Sequence, residues 1–360
     1  MSIQEESSSP EKVKRIDEPS SIRPTLTHRM QFGRLSGLYV LALFILVYAF
    51  WIPQTFLSVS TLQSIMDDQA VTGIVALGVV FALAAGAFDL SFAAVMTMAS
   101  VICGGLMAVW HLGTALAIVI TLAAGLTVGI MNGLLVVKVG ISSVIATLGM
   151  SSLVQAVVDR VTNDGQYITG FPKSFDDLTT PRPLGIPILA IYLLVLAFIA
   201  WYLLEHSPFG RRLQATGAGA DAARLAGVNT DRMVFLGLVA SATMATIAGI
   251  LITSQIASVS PTIGSGYLLP VFAAVFLGTT QVKVGRFNIW GTILAIFLLA
   301  TGVKGLQLAG GQGWITDAFN GAALLLAVGV AALGQRRSGS SRLLPARKRR
   351  SSRSDRSTLL

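Results

Sequence analysis

The stretch SPFGRRLQATGAGADAARLAGVNTDR, residues 207–232, is a polar and basic interval between two long apolar runs. Its segment Asp221-Ala-Ala-Arg-Leu-Ala lies between Gly219 and Gly227. These glycine boundaries predict a short helix, with Arg224 one turn after Asp221 and close enough to it for an ion pair. A helix shorter than about 12 residues is marginal in water, so we expect it to dock on its own bundle or on a partner. The alternative is an ordinary solvated loop.

The chain on either side of this interval is strongly apolar. Of its 360 residues, 53% are hydrophobic and 12% charged, and the mean hydropathy is +0.73. This composition predicts an all-α polytopic membrane protein. Windows of about 20 apolar residues, the length that crosses a bilayer, predict about ten transmembrane helices. They lie near 38–56, 70–87, 91–109, 114–137, 141–158, 184–204, 233–252, 267–278, 289–308 and 314–333.

The formal net charge of +9 comes from basic residues in connections and tails. They do not form one basic face, which argues against nucleic-acid binding. With ten spans, the positive-inside rule places the basic connections, the 207–232 loop and both termini in the cytoplasm. We therefore predict a disordered cytoplasmic tail at 1–37, a transmembrane domain at 38–333 and a basic cytoplasmic tail at 334–360.

A short internal repeat supports this topology. Gly86 and Gly266 are each followed seven residues later by Ala-Ala-Val, and the ten-span count gives the two copies opposite orientations. That arrangement is typical of an inverted-topology repeat. Each copy interrupts an apolar run, at 85–89 and at 254–266, so we predict interrupted helices beside a transport path.

Polar residues in or near the spans are candidates for that path. They are Asp89, Asn132, Gln255 and Lys304, since charge inside a membrane is costly and often functional. Other interpretations stay open: Asp89 caps a helix, Lys304 snorkels to the interface, and Asn132 bonds neighbouring helices. A stripe of Gly125, Gly129 and Gly133 favours close helix packing over substrate contact.

The run FGRRLQATGAGADAARLAGVNTDR resembles the cytoplasmic coupling loop of ribose-type sugar permeases in bacterial ABC importers. That loop has a Gly-Arg, then Ala-x-Gly, then a helix of the form Ala-Ala-Arg-Leu-x-Gly-Val/Ile. Further similarities cover about residues 60–333. They include GAFDLS at 86–91, MNG at 131–133, ATLG at 146–149, AG at 248–249, Pro261, Gly264, GY at 266–267, AAV at 273–275, GT at 278–279 and GT at 291–292.

The resemblance implies a permease subunit that moves a monosaccharide or related polyol by alternating access in the bacterial plasma (inner) membrane. It also implies three partners: a cytoplasmic ABC ATPase that uses the ATP, a periplasmic or lipid-anchored solute-binding protein, and a second permease copy or homologue. Tyr267 joins the candidate path residues. The implied ATPase-coupling residues are Gly217, Asp221, Ala222, Ala223, Arg224, Leu225, Gly227 and Val228.

Two departures from the family pattern leave the substrate open. Residues 281–288, QVKVGRFN, replace a usual Gly-Gly pair with apparently one extra residue, which could alter a second cytoplasmic contact surface. Lys304 stands where Asn is usual before Gly-Leu.

Several kinds of site are missing from the sequence. It has no Gly-x-x-x-x-Gly-Lys-Ser/Thr loop and no recognisable catalytic set, so we expect neither an enzyme nor a bound cofactor. His28, His111, His206 and the single Cys103 lie far apart, so we expect no metal site. The alternative functions are a stand-alone ion-coupled carrier that uses Asp89 and Lys304, and a non-transporting scaffold or receptor. A stand-alone carrier does not need the docking helix at Gly217–Val228.

Overall fold

A computed structural model describes residues 36–163 and 168–340, with side chains through residue 329. Apart from one antiparallel pair of two-residue strands, its regular structure is helical, as predicted for an all-α protein. The strands are β1 (Ile168–Thr169) and β2 (Ser258–Val259), with Ile168 opposite Val259. The helices are α1 (Ser36–Trp51), α2 (Pro53–Phe56), α3 (Val59–Ala84), α4 (Phe92–Ala108), α5 (Thr114–Leu134), α6 (Ser143–Val161), α7 (Lys173–Asp176), α8 (Ile188–Trp201), α9 (Pro208–Ala218), α10 (Ala220–Leu225), α11 (Thr230–Ile256), α12 (Leu268–Gly278), α13 (Ile289–Leu308) and α14 (Trp314–Ser340).

Six helical segments within the described residues are long and apolar enough to cross a membrane. They are Val59–Ala84, Thr114–Val139, Ser143–Val161, Ile188–His206, Thr230–Ile256 and Ile289–Leu308, where π-helical turns extend α5 and α8. Shorter apolar helices lie at Ser36–Trp51, Phe92–Ala108, Ile263–Gly278 and Trp314–Gly329. Each predicted window therefore falls on an apolar helix. The count of ten membrane crossings and the inverted repeat stay predictions.

Helix α3 runs through the middle of the bundle and packs against α11. Seventeen of its residues are buried, and small residues let the two backbones approach closely. A Cβ added at Gly78 would lie 3.0 Å from the Cα of Ser241, and one at Gly237 would lie 3.0 Å from the Phe81 carbonyl oxygen. Such close crossings increase the van der Waals contact that holds membrane helices together.

The predicted glycine stripe has the packing role expected of it. A Cβ at Gly125 would collide with Thr246, and one at Gly129 would lie 2.8 Å from the Cβ of Ala242. Both contacts are with α11, so the stripe on α5 sets the distance between these two helices.

Helix breaks occur at both predicted interruptions. The first follows Ala84, where Gly86 takes a left-handed φ of 82°, and the chain is irregular until α4. The second follows Ile256, where Ala257 has a φ of 49° and ends α11. β2 and a 3₁₀ turn at Ile263–Tyr267 then lead into α12.

The predicted tails lie almost entirely outside the described residues. Helix α1 begins at Ser36, and α14 continues through Ser340, past the predicted boundary at 333. Residues 1–35 and 341–360 belong to the tails and are not among the described residues.

Candidate functional site

A cavity of about 470 Å³ opens inside the bundle, between α3, α11, α12, α13 and α14. We call it the bundle cavity. Three of the predicted path residues, Gln255, Tyr267 and Lys304, line it together. They come from three separate elements, and the fold brings them to one place. A volume of this size is typical of small-molecule sites.

Lys304 meets polar groups of α3 at the edge of the bundle cavity. Its Nζ donates to the Ser64 hydroxyl at 2.8 Å and lies 3.9 Å from the Asp68 carboxylate. Gln69 and Thr72, also on α3, line the same space. The bundle cavity thus offers hydrogen-bond donors and acceptors within an otherwise apolar helix bundle.

Asp68, Gln69 and Thr72 were missed as site residues by the sequence analysis. Asp68 and Gln69 fall just before the predicted span at 70–87, whereas α3 begins at Val59. The overlooked signal was a short polar run, Asp67-Asp68-Gln69, placed directly before a long apolar run.

A more polar compartment of about 490 Å³ adjoins the bundle cavity and shares Asp68 and Gln255 with it. Arg182 closes one side, pairing with Asp67 at 3.1 Å and donating to the Gln63 side chain at 3.0 Å. Gln63 in turn donates to the Gly185 carbonyl at 2.8 Å. These bonds hold the segment before α8 against the start of α3.

Asp89 and Asn132 lie elsewhere, in a fully buried polar cluster. Asp89 Oδ1 accepts from the Ser91 backbone N–H at 2.9 Å and from the Ser91 hydroxyl at 2.6 Å. Asn132 donates to the same hydroxyl at 2.8 Å, which ties α5 to the start of α4. Neither residue lines the bundle cavity. Among the described residues, Asp89 Oδ2 and Asn132 Oδ1 have no hydrogen-bond partner.

The 207–232 interval contains two helices, α9 and α10, where the sequence predicted one. Ser207 caps α9 by accepting from the Gly210 N–H at 3.1 Å. Gly217 lies in the last turn of α9, against the end of α3. A Cβ there would lie 3.0 Å from the Gly86 nitrogen and would collide with the Ala84 carbonyl oxygen. α9 therefore rests directly on α3.

The predicted short helix is present as α10, which ends before Gly227 with its left-handed φ of 81°. Ala223 is buried and Val228 half-buried, whereas Leu225 is 92% exposed. The other predicted coupling residues, Gly217, Asp221, Ala222, Arg224 and Gly227, are exposed. A large apolar side chain this exposed on a short helix is a feature of contact surfaces.

The ion pair that the spacing of Asp221 and Arg224 permits is replaced by another one. Arg224 pairs with Asp231 at 2.9 Å and donates through Nε to the Thr230 hydroxyl at 2.7 Å. Gly227 turns the chain back, which brings the first residues of α11 alongside the Arg224 side chain. The guanidinium then forms two bonds there.

An open groove of about 770 Å³ runs along α6, and we call it the α6 groove. Ser151, Ser152, Gln155 and Asp159 form a polar stripe that lines it. Gln155 donates to Asp159 at 2.8 Å and to the Pro261 carbonyl at 3.1 Å. Sequence analysis missed this stripe, although Ser152, Gln155 and Asp159 recur at spacings of three and four residues, which indicates one helix face.

No group of three or more His, Cys, Asp or Glu side chains in the described part of the chain is arranged as metal ligands. Cys103 is buried among apolar side chains.

Comparison with known proteins agrees with these features. Residues 62–328 match the family described as "Branched-chain amino acid transport system / permease component". The chain is 31% identical over 300 residues to the ribose import permease protein RbsC of Bacillus subtilis (strain 168), covering 83% of this chain and 91% of that one. It is 29% identical over 277 residues to the ribose import permease of Escherichia coli (strain K12), covering 76% and 86% of the two chains.

A third relative is the autoinducer 2 import system permease protein LsrD of Salmonella paratyphi B, 29% identical over 281 residues, with 76% and 83% of the two chains covered. No solved structure matches the chain. Since the family match covers most of the chain and includes the long apolar helices, the chain belongs to this family of membrane permease components.

Proposed function

We propose that the chain is the membrane-spanning subunit of a binding-protein-dependent ABC importer, carrying a monosaccharide or related polyol across the bacterial inner membrane by alternating access. The relatives that import ribose support the substrate class. The observation that supports coupling to an ATPase is the 92% exposure of Leu225 on the short helix α10. ATP is used by a separate cytoplasmic ATPase, and both termini of this chain lie in the cytoplasm.

Helix α3 provides a mechanical route from the docking surface to the bundle cavity. Asp68 and Thr72 line the cavity near the start of α3, and Ala84 at its end lies under Gly217 of α9. A helix of 26 residues is about 39 Å long, enough to join the two sides of a membrane. When the ATPase moves α10 and α9, α3 tilts with them and changes the shape of the cavity.

The bundle cavity has the chemistry that a polyhydroxylated substrate needs. Gln255 and Tyr267 offer both donors and acceptors, and Lys304 and Asp68 add one charged donor and one charged acceptor. The Gln255 Oε1 atom is buried with no hydrogen-bond partner among the described residues, so a substrate hydroxyl can satisfy it. A solute-binding protein delivers the substrate at the side where Arg182 and Asp67 pair.

A second permease copy or homologue covers the α6 groove. Lipid tails cannot hydrogen-bond to the Gln155 amide oxygen or to the Asp159 carboxylate, so a membrane-embedded groove of this kind must face protein or water. A single cysteine at Ser152 should therefore cross-link two copies in the membrane. A cysteine at Leu194, exposed on α8, is the control and should not. Cross-linking at Leu194 alone would assign the contact to a different face.

A stand-alone ion-coupled carrier has less support. Asp89 does not line the bundle cavity that Lys304 borders, since it is enclosed in the buried cluster with Ser91 and Asn132. Such a carrier also has no use for an exposed leucine on a short helix.

The coupling proposal is tested by Leu225→Asp. Its matched control is Leu184→Asp, which changes another fully exposed leucine far along the chain from α10. Purified permease carrying Leu225→Asp should retain the ATPase at least about tenfold less well, because a carboxylate would replace the apolar anchor of the docking surface. The Leu184 variant should bind normally. Normal ATPase retention and ATP-driven uptake in the Leu225 variant would contradict the proposal.

A further inference from the structure

Four polar residues meet in the interior at the break between α3 and α4, and we call them the Asp89 cluster: Asp89, Ser91, Asn132 and Ser241. Three of their oxygen atoms have no hydrogen-bond partner among the described residues, namely Asp89 Oδ2, Asn132 Oδ1 and the Ser241 hydroxyl oxygen. All four residues are 0% exposed, so bulk solvent does not reach them. Buried polar atoms in proteins almost always have a partner, so three unpaired oxygens in one cluster point to a ligand.

The members of the Asp89 cluster come from separate elements. Asp89 and Asn132 are joined through the Ser91 hydroxyl, which donates to the first at 2.6 Å and accepts from the second at 2.8 Å. Asn132 belongs to α5, and Ser241 of α11 faces the Asp89 carboxylate. The unpaired oxygens are therefore carried by groups that already lie next to one another.

The carboxylate of the Asp89 cluster has no basic partner in the described part of the chain, where no ion pair involves it. Its Oδ1 atom is held by the N–H and the hydroxyl of Ser91, at the start of α4, and Oδ2 is left open. Burying a carboxylate in a helix bundle is costly unless positive charge compensates it. A buried water molecule would supply hydrogen bonds but no charge, so a cation fits the cluster better.

The chemistry of the unpaired oxygens indicates which cation. Carboxylate, amide and hydroxyl oxygens are ligands for hard cations, and one carboxylate balances the charge of a monovalent ion but not of a divalent one. The helices beside the cluster cross closely, since a Cβ at Gly129, one turn before Asn132, would lie 3.1 Å from the Cα of Val239. Close packing favours Na⁺ over the larger K⁺. Ends of broken membrane helices are also where other transporters hold such ions.

We propose that the Asp89 cluster binds one sodium ion through Asp89 Oδ2, Asn132 Oδ1 and the Ser241 hydroxyl oxygen. The ion ties the break between α3 and α4 to α5 and α11. Because the cluster is fully buried and lines no part of the bundle cavity, the ion is a fixed part of the fold and is neither transported nor used for coupling. A proton on Asp89 would bridge at most two of the three oxygens, whereas a cation contacts all of them.

The test compares thermal unfolding of the full-length permease in nanodiscs in NaCl, KCl and N-methyl-D-glucamine chloride at constant ionic strength. Wild type should melt at least about 3 °C higher in Na⁺ than in either other salt, because a ligand that binds only the folded state stabilises it by mass action. Binding of radioactive Na⁺ to the same nanodiscs should saturate at about one ion per chain.

Two variants and one control assign the effect to the cluster. Asp89→Asn should abolish the Na⁺-specific stabilisation. Ser241→Ala removes only an oxygen that has no hydrogen-bond partner among the described residues, and it should raise the Na⁺ concentration for half-maximal stabilisation at least about fivefold. The matched control is Ser100→Ala, which changes another fully buried serine, bonded to Thr253 at 2.6 Å. It should keep the Na⁺ dependence even where its melting temperature falls.

Equal melting of wild type in the three salts would overturn the inference, and so would a Na⁺ effect of wild-type size in the Asp89 and Ser241 variants. A stabilisation that appears on acidification but not with Na⁺ would also overturn it, since a proton would then neutralise Asp89. If Asp89→Asn does not fold, the comparison of Ser241→Ala with Ser100→Ala decides the matter.

Discussion

At the scale of single residues, Lys304 and Asp89 show how position in the fold decides what a membrane-embedded charge can do. Both are polar residues in an apolar sequence context. Lys304 borders the bundle cavity and reaches Ser64 and Asp68, whereas the Asp89 carboxylate accepts two hydrogen bonds from Ser91, two residues along the chain. The first arrangement leaves a charged donor at the wall of the bundle cavity. The second arrangement ties α4 to α5 through Asn132, so its contacts hold two helices together.

Lys304→Asn should change which sugars are transported, or how fast, because it removes a charged donor from the cavity wall and leaves Asp68 without its cation. Lys304→Arg should be milder, since it keeps the charge. The measurement is uptake of a panel of monosaccharides and polyols into proteoliposomes. Lys138→Asn, an exposed lysine outside the cavity, is the control. If the Lys304→Asn profile were identical to that of wild type, Lys304 would have no role in the path.

At the scale of helices, the contact of α9 with α3 depends on the absence of a side chain at Gly217. Gly217→Ala should lower ATP-driven uptake at least about tenfold, because the added methyl group collides with backbone atoms that cannot move aside and lifts α9 from α3. Gly219→Ala is a matched control. The nearest atom to the new Cβ would be the Cβ of Ala222, 4.0 Å away, and the φ of 174° at Gly219 suits any residue.

Both glycine variants are compared by uptake and by ATP hydrolysis, with size-exclusion chromatography to verify folding. We expect the Gly219 variant to stay within about twofold of wild type. If Gly217→Ala folded and transported normally, the route of coupling through α3 would be wrong.

The helices also show which features of the fold local sequence patterns can predict. The apolar windows, both helix breaks and the glycine-bounded α10 follow from hydropathy and glycine position, which are local properties. α9 was missed because its buried face consists of Gly210, Leu213 and Thr216, of which only Leu213 is a large apolar residue. The Arg224–Asp231 pair depends on how the chain turns back at Gly227. Two side chains seven residues apart meet only through that turn.

The bundle cavity was predictable only in part for the same reason. Each of three residues is polar within or beside an apolar stretch, so the sequence alone identifies it as a candidate: Gln255, Tyr267 and Lys304. Their meeting with Asp68 depends on the packing of α3 against α11, α12 and α13, which no local pattern describes. The polar stripe on α6 could be recognised from the spacing of its residues. That the groove beside it is open depends on how the helices pack in the folded bundle.

At the scale of the whole molecule, the topology depends on the segment from Ile263 to Gly278. Helix α12 has 11 residues and is about 17 Å long, roughly half of a hydrocarbon layer about 30 Å thick. Either this segment crosses the membrane with the help of the 3₁₀ turn before it, or it enters and returns on the same side. The first arrangement keeps both termini in the cytoplasm, and the second separates them.

Single-cysteine labelling distinguishes the two topologies. In a Cys103→Ala background, cysteines replace the exposed residues Ser174 and Ala226 and, on α14, Ser338, and a membrane-impermeant thiol reagent is added to spheroplasts. Ser174 should label from outside. Ala226, beside the docking surface, and Ser338 should label only after lysis, because the positive charge near them holds both segments in the cytoplasm. Labelling of Ser338 from outside would mean an odd number of crossings and a re-entrant α12. Labelling of Ala226 from outside would place α10 out of reach of a cytoplasmic ATPase and remove the coupling mechanism.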